Sequence, residues 1–516
     1  MADDMGYSDL GCYGSGIDTP HIDQLASKGL RFSQFHNTGR CCPSRASLLT
    51  GLYSHQAGVG HMMGKSGFPE YDDQLRFDAV TLPEVLRSTG YRTYMSGKWH
   101  LGWSDEGSPN ARGFDRFYGH RGYVDSYFTI VPRTDIYIDN KIVLPAGKAP
   151  INQLHPEKEF YTTDAYTDYA IHFLNEHDQE KPFFLYMAYN APHFPLHALP
   201  EDTAKYRGRF REKGWDPQRE NRYNKLVHAG LIGKDTALSL RDSPDWSSLS
   251  DEVKDELDHK FALYCGIIDR LDQNVGRLVA HLEKSGQLEN TVILFLSDNG
   301  STKETGMFGI GGHDVNPDNY DEWGRKGGWT SSLGQGWANV ANTPFRRYKR
   351  ENHEGGTSSP LIIWSGRKSG LGIIPGSLTH QVAHIIDILP TLADLGGALV
   401  PNHLHGVKQK TKEGRSLVPH LKGASPTPRT LYWEHEGHRA VRSGDMKLVA
   451  LSGQPWELYD LSKDRSETVD LAGRQPQTVK RLESTWNAWA TRVGVRPWNE
   501  VAEAMKTMRR KARGKK

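Results

Sequence analysis

Two short, almost wholly apolar runs, 182–189 and 291–296, constrain the fold more than any other feature of the chain. Each is far below the roughly 20 residues that span a bilayer and has the length of one buried strand. Each also follows a helical stretch: 161–176 precedes the first run and 255–285 the second. A strand that is apolar at every position has both faces covered. Helices alternating with such strands predict an α/β fold, a large, mostly parallel sheet sandwiched by helices. Segment 19–28 reads as a helix, with Thr19 as cap and Pro20 at its first position, and a helix over 82–88 leads into a strand over 91–97. Ligands of such sheets gather beyond the carboxyl ends of the strands, so chemistry is expected there.

The length of 516 residues calls for one large domain and a smaller one. Composition turns polar around 401–423, as in a linker. Short strands follow at 430–433, 439–442, 446–450 and 456–460, with a helix near 477–491. They predict a C-terminal α+β subdomain with an antiparallel sheet over 406–500, after a catalytic domain over 1–405. The stretch 300–342, rich in Gly, Trp and Asn, reads as a long functional or mobile loop. The tail 501–516 is basic, and its last eleven residues carry seven Lys or Arg and no acid. Without those eleven residues the chain has 57 basic against 62 acidic residues, so nothing favours nucleic acid, and the tail reads as a solvated, frayed end. No apolar run is long enough for a membrane span.

Four cysteines, with Cys41 and Cys42 adjacent and no CxxC spacing, do not make a disulfide or zinc framework, and the compartment cannot be read from them. The strongest local signal is Cys41-Cys42-Pro43-Ser44-Arg45-Ala46-Ser47-Leu48-Leu49-Thr50-Gly51. Pro43 suits the first position of a helix and Gly51 its end, so Cys41 falls beside a helix N-terminus, where free amides favour an anion. Arg45, one turn inside, adds a fork for oxyanions. On spacing alone, a buried free thiol is an equal alternative.

This segment resembles the signature of type I, formylglycine-dependent sulfatases of the alkaline phosphatase superfamily, arylsulfatase-like. The resemblance runs over nearly the whole chain, from Ala2-Asp3-Asp4-Met5-Gly6-Tyr7 through Gly97-Lys98-Trp99-His100-Leu101-Gly102 to Glu354-Gly355-Gly356. It implies that a maturation enzyme converts Cys41, not Cys42, to formylglycine. The implied activity is hydrolysis of a small-molecule or glycan sulfate ester, aryl or carbohydrate, to alcohol and inorganic sulfate.

Asp3, Asp4 and Asp298 with Asn299 place three carboxylates and an amide carbonyl at expected strand ends. An all-oxygen set selects a hard cation; taken alone, these are acidic turns. The resemblance maps a single calcium site, or magnesium in its place, onto Asp3, Asp4, Asp298 and Asn299, with residue 41 adjoining. Period two puts Lys98 and His100 on one face of a strand end. The resemblance gives Lys98 a contact to sulfate and His100 a contact to the formylglycine hydroxyl. His193, just after the apolar run 182–189, matches the family's sulfate-contacting histidine and candidate donor to the leaving group, with His197 as a weaker candidate. Lys349, five residues before Glu354, matches a sulfate-binding lysine, in a register crowded by Arg346, Arg347 and Arg350. His435, in Trp433-Glu434-His435-Glu436, is either a substrate contact or part of a core.

Two rival readings carry the same residues. One is a phosphate or phosphonate ester hydrolase, against which Asn299 argues, because the two-metal members usually place histidine there. The other is an unmodified protein that only binds sulfated glycans, against which the complete catalytic set argues. No charged-then-apolar leader precedes Asp3. The resemblance implies an apolar strand before the aspartate pair and export to the periplasm or outside the cell. The expectation is therefore an upstream segment of about four or more apolar residues. Without one, two unpaired sheet edges and a poorly anchored Asp3 are expected.

Overall fold

The computed structural model describes all residues except 123–125, 129–134, 146–147, 149–150, 312–323, 325–330, 426 and 514–516. Much of the loop expected over 300–342 therefore lies outside the described residues.

The strands of the large domain are β1 Leu30–His36, β2 Arg92–Lys98, β3 Arg116–His120, β4 Ile136–Ile138, β5 Lys141–Leu144, β6 Phe183–Ala188, β7 Val292–Leu296, β8 Ser358–Ser365, β9 Ser377–Thr379 and β10 Ala383–His384. They form two half-sheets, ordered β5-β4-β3-β2-β6 and β10-β1-β8-β7, with β9 beside β1. β2 runs parallel to β3 and β6, and β1 parallel to β9 and β10. β8 runs antiparallel to both β7 and β1, so the whole is mixed. β8 starts directly after the turn Glu354–Thr357.

Residues 1–3 stitch the halves together. The Met1 amine donates to the Met187 carbonyl (2.8 Å) and Tyr189 N–H to the Met1 carbonyl (3.1 Å). On the other side Ala2 N–H donates to Leu296 O (2.8 Å) and Asp298 N–H to Ala2 O (3.2 Å). Asp3 N–H donates to Ala191 O (3.0 Å), so Asp3 is firmly held, contrary to the loose anchoring expected of a sheet without its central strand. Further along, β6 and β7 flank a cavity of about 550 Å³ lined by Phe183, Leu185, Met187, Val292, Leu294 and Leu296.

Strand residues alternate between two cores. Tyr94, Met187, Phe295 and Ile362 join one, against Pro20–Lys28, Thr162–Asn175 and the long helix Asp251–Lys284. Met95, Tyr186, Leu296 and Leu361 join the other, against Cys41–Thr50, Leu82–Arg87 and Ile388–Leu395. Each such side chain contributes roughly 1.5–3 kcal/mol on burial, and covering both faces is why the runs are apolar throughout.

After a short hairpin, β11 His403–Leu404 and β12 Val407–Lys408, the C-terminal sheet runs β13 Thr430–His435, β14 His438–Ser443, β15 Met446–Ala450 and β16 Glu457–Asp460, antiparallel in that order. The helix Pro476–Val493 covers it through Leu482, Trp486 and Trp489. The basic tail is not frayed over its described residues. Trp498–Arg513 is a helix, and Val501 and Met505 are buried with Tyr71. The apolar side of an amphipathic helix found a partner that charge counting does not register.

Candidate active site

The helix Cys41–Thr50 begins after Arg40, which is extended, and ends at Gly51, whose φ of 66° is the left-handed value glycine adopts freely. The helix starts two residues earlier than its proline suggests, so Pro43 lies within the first turn. Cys41 is fully buried at the N-terminus, where backbone N–H groups lack helical partners. Cys42 is buried too, and burial pushes its thiol up to about 12, so it is the inert neighbour.

Ligand atoms of Asp3, Asp4, Cys41 and His193 all lie within 4.8 Å of one another. Asp4 is held at φ 66° and His100 at φ 58°, conformations costly for these residues and often found at functional sites. The left-handed turn breaks the period-two argument for His100. Its ring nonetheless stays in the field of the cluster: burial first, then the charges of Lys98 and Arg45, hold it well below the usual histidine range.

Three cations and a histidine face three carboxylates. Arg45 donates from Nη2 to Asp298 Oδ2 (2.8 Å) and Asp3 Oδ2 (3.1 Å), and from Nη1 to the Lys98 carbonyl (2.8 Å). Lys98 Nζ reaches Asp3 Oδ2 (2.5 Å) and Lys349 Nζ reaches Asp4 Oδ2 (2.8 Å). His193 Nε2 lies 3.6 Å from Asp4 Oδ2. Burial opposes the ionisation of Asp3, but Lys98, His193, Arg45 and Lys349 outweigh it and hold the carboxyl well below its ordinary value. Asp4 is lowered in the same way, with Lys349 and His193 overcoming burial. Asp298 goes the other way: burial, then the charge of Asp3, raise it against the pull of Arg45. Three carboxylates in one buried pocket are not satisfied by these cations alone.

The donor set fits a hard cation. Asp3 Oδ1 and Asn299 Oδ1 are buried with no hydrogen-bond partner among the described residues. Asn299 Nδ2 donates to Asp4 Oδ1 (2.7 Å) and the Gly300 carbonyl (2.9 Å), two pure acceptors, which fixes the amide with its oxygen on the open side. Oxygen ligands of this kind suit calcium or magnesium. Gly300 makes the corner: a Cβ there would lie 1.9 Å from the Gly355 carbonyl, so only glycine lets this loop close on the turn Glu354–Thr357.

Several expectations change. His197 is turned away from the carboxylates, with Nδ1 near Ser126 Oγ (3.1 Å) and its ring beside Phe128 and Tyr127. Of the two histidines in that loop, only His193 joins the cluster; Pro195 lies between them. Glu354, which marks the register of Lys349, is buried against Lys447 (2.9 Å), His36 (3.2 Å) and Arg465 (3.3 Å), tying the C-terminal sheet to the large domain. Arg346 points to Tyr459 (3.0 Å), which leaves Lys349 as the lysine of that register. His435 is buried, its ring tilted against that of His61 with centroids 5.2 Å apart. Sequence reasoning missed Arg40, His61 and Glu436, which lie beside the pocket. The only local signal was a cation immediately before Cys41.

The sulfatase family model matches residues 1–398. An uncharacterised sulfatase of Schizosaccharomyces pombe is 32% identical, with 96% of this chain and 93% of the relative covered. An arylsulfatase of Klebsiella aerogenes is 31% identical over 77% of this chain and 85% of the relative. The crystal structure of Ps i-CgsB in complex with k-i-k-neocarrahexaose superposes with a TM-score of 0.67, at 26% identity, over 95% of this chain and 91% of that one. A buried cysteine at a helix start, beside a carboxylate cluster at strand ends, thus sits in a sulfuric ester hydrolase of the alkaline phosphatase superfamily. The chain belongs to the sulfatase family.

Proposed function

We propose that the protein hydrolyses sulfate monoesters with residue 41 as nucleophile, after oxidation of the Cys41 thiol to formylglycine by a maturation enzyme, and with one calcium ion held by Asp3, Asp4, Asp298 and Asn299. The observation that carries this reading is the convergence of Cys41, Asp3, Asp4 and His193 within 4.8 Å at a helix N-terminus. In its loaded form the site supplies an aldehyde hydrate as nucleophile and leaving group, and a cation that polarises a sulfate oxygen.

The chain's own residues then have separate tasks. Lys98, paired with Asp3, and Lys349, paired with Asp4, neutralise the nonbridging oxygens of the ester as charge shifts towards the leaving group. Arg45 keeps Asp3 and Asp298 from repelling each other, through its two-carboxylate bridge. His193 Nδ1 lies 2.5 Å from the Phe194 carbonyl, which only accepts, so Nδ1 carries a proton and Nε2 is the atom that takes or gives one at the site. Burial, partly offset by Asp4, lowers its proton affinity and makes the protonated ring a willing donor to the leaving oxygen. Overall the ester's S–O bond breaks, the alcohol leaves with a proton, and water supplies the oxygen that departs in sulfate.

Asn299 weighs against a phosphate or phosphonate ester hydrolase, since this position offers a buried, unpartnered amide oxygen rather than an imidazole. The test is turnover of p-nitrophenyl sulfate against p-nitrophenyl phosphate, with a Cys41→Ala variant. The sulfate ester should be preferred and the variant inactive. Full turnover by the variant, or preference for phosphate, would reject the proposal.

A further inference from the structure

The segment that carries Lys349 is closed on itself. Gly355 N–H donates to the Arg346 carbonyl (3.0 Å), so residues 346–355 form one loop with Lys349 inside it. The large domain holds the middle of this loop: Lys349 N–H donates to the Ser301 carbonyl (3.1 Å) and Arg350 N–H to the Gly39 carbonyl (2.8 Å). The C-terminal sheet and the turn that follows it hold both ends. At one end Arg346 Nη1 donates to the Tyr459 hydroxyl (3.0 Å) and to the Glu467 carbonyl (2.8 Å). At the other end Lys447 Nζ donates to Glu354 Oε1 (2.9 Å), and Glu354 N–H donates to Glu467 Oε2 (2.8 Å).

Lys447 and Tyr459 stand directly opposite each other on the neighbouring strands β15 and β16, so they leave the same face of the sheet at a spacing that the ladder fixes. Lys447 is fully buried and also pairs with Glu467 Oε1 at 2.9 Å, so one ammonium ties together two carboxylates that would otherwise repel. Burial opposes the ionisation of Glu354, but Lys447, then His36 and Arg465, hold its carboxyl well below the ordinary value. Against burial, His353 brings Glu457 down to about 2, so Glu457 is ionised and only accepts. Tyr459 donates its proton to Glu457 Oε2 (2.6 Å), which leaves the hydroxyl oxygen to accept from Arg346. Arg347 (φ 73°), Arg350 (φ 84°) and Glu467 (φ 56°) are left-handed, a backbone conformation that persists only where surrounding contacts impose it.

We infer that Lys447 and Tyr459 are positioning residues for Lys349: they clasp the two ends of its loop and so fix where its ammonium stands against Asp4 and the ester's oxygens. This rests on the sulfatase reading above, in which Lys349 neutralises the nonbridging oxygens. Neither residue joins the carboxylate cluster. Among the described residues Lys447 bonds to Glu354 and Glu467, and Tyr459 to Arg346 and Glu457. The C-terminal subdomain thus frames the reaction without supplying a group to it. A displacement of about 1 Å in a positioned group is enough to cost up to about 10²-fold in rate, so a loosened clasp is visible in turnover.

The test measures kcat and KM on p-nitrophenyl sulfate with metal-loaded, matured protein. It compares the wild type, Lys447→Met, Tyr459→Phe, Lys349→Ala, and each clasp variant combined with Lys349→Ala. Tyr459→Phe removes a single hydroxyl and carries the test if Lys447→Met does not fold. Lys447→Met should lower kcat about tenfold and Tyr459→Phe about threefold, with little change in KM. Each loss should shrink to less than about twofold when residue 349 is already alanine, because no ammonium is left to place. A purely structural role would lower the amount of folded enzyme by the same factor in both backgrounds. Equal losses in the two backgrounds, or an unchanged kcat in both single variants, would overturn the inference. Hydrogen exchange of the peptide 346–355 reads the clasp without activity. It should quicken in both single variants while the helix Cys41–Thr50 keeps its protection, and unchanged exchange in both would also overturn the inference. A wild type inactive on every sulfate ester would instead reject the sulfatase reading, and the exchange result would still decide whether the clasp holds the loop.

Discussion

Lys349 Nζ lies 2.8 Å from the Asp4 carboxylate, although 345 residues separate the two in sequence. Burial disfavours a charged lysine, but Asp4 outweighs it and raises the proton affinity of Lys349, so it enters the reaction as a cation. Lys349→Ala removes one donor to the sulfate oxygens. The expected loss is about 10²–10³ in kcat for p-nitrophenyl sulfate, with an unchanged far-UV circular dichroism spectrum. A loss below about threefold would remove Lys349 from the mechanism.

Arg45 touches Asp298 and Asp3 at 2.8 and 3.1 Å in a fully buried setting. Arg45→Ala takes the bridging cation from Asp298 and leaves Asp3 with Lys98 alone, and should destabilise the protein by about 3–5 kcal/mol in urea unfolding. A stability equal to wild type would show that the pair is dispensable.

The carboxylate cluster makes stability depend on a divalent cation. Calcium at a hundredfold excess over its dissociation constant should add about 2.7 kcal/mol relative to chelator-treated protein. Asp298→Asn should abolish most of the resulting rise in Tm. A melting curve indifferent to calcium in the wild type would contradict the assigned ligand set.

Burial holds His197 at about 4, against 6.5 for an exposed histidine. Above pH 6.5 the ring is neutral in both folded and unfolded chains and makes no difference. Between pH 6.5 and 4 the unfolded chain binds the proton more readily, so stability falls as the pH is lowered, by up to about 3 kcal/mol from this residue. His197→Gln should flatten the stability profile over that window. Parallel profiles for the two proteins would show that the ring is not buried neutral.

What the sequence made legible was local. The stop of the Cys41 helix at Gly51 and the apolar strands follow from short-range rules of capping and periodicity, whereas the helix starts two residues before the position its proline suggests. The resemblance carried Lys98, His193 and Lys349, and their cations do converge on Asp3 and Asp4. What stayed hidden was long-range. Glu354 reads as part of a motif but is bound by Lys447 and Arg465, on the far side of a linker. The Arg350–Glu436 pair joins a loop to a hairpin tip 86 residues away, and no periodicity signals such a contact. His197 and His193 share one loop, and only the folded backbone separates their roles.

The most direct test of the central claim is the mass of the peptide containing residue 41, taken from active protein expressed with a formylglycine-forming enzyme. The account predicts a residue that has lost one sulfur and two hydrogens and gained one oxygen relative to cysteine, with Cys42 unchanged. An unmodified Cys41 thiol in protein that hydrolyses sulfate esters at full rate would contradict it.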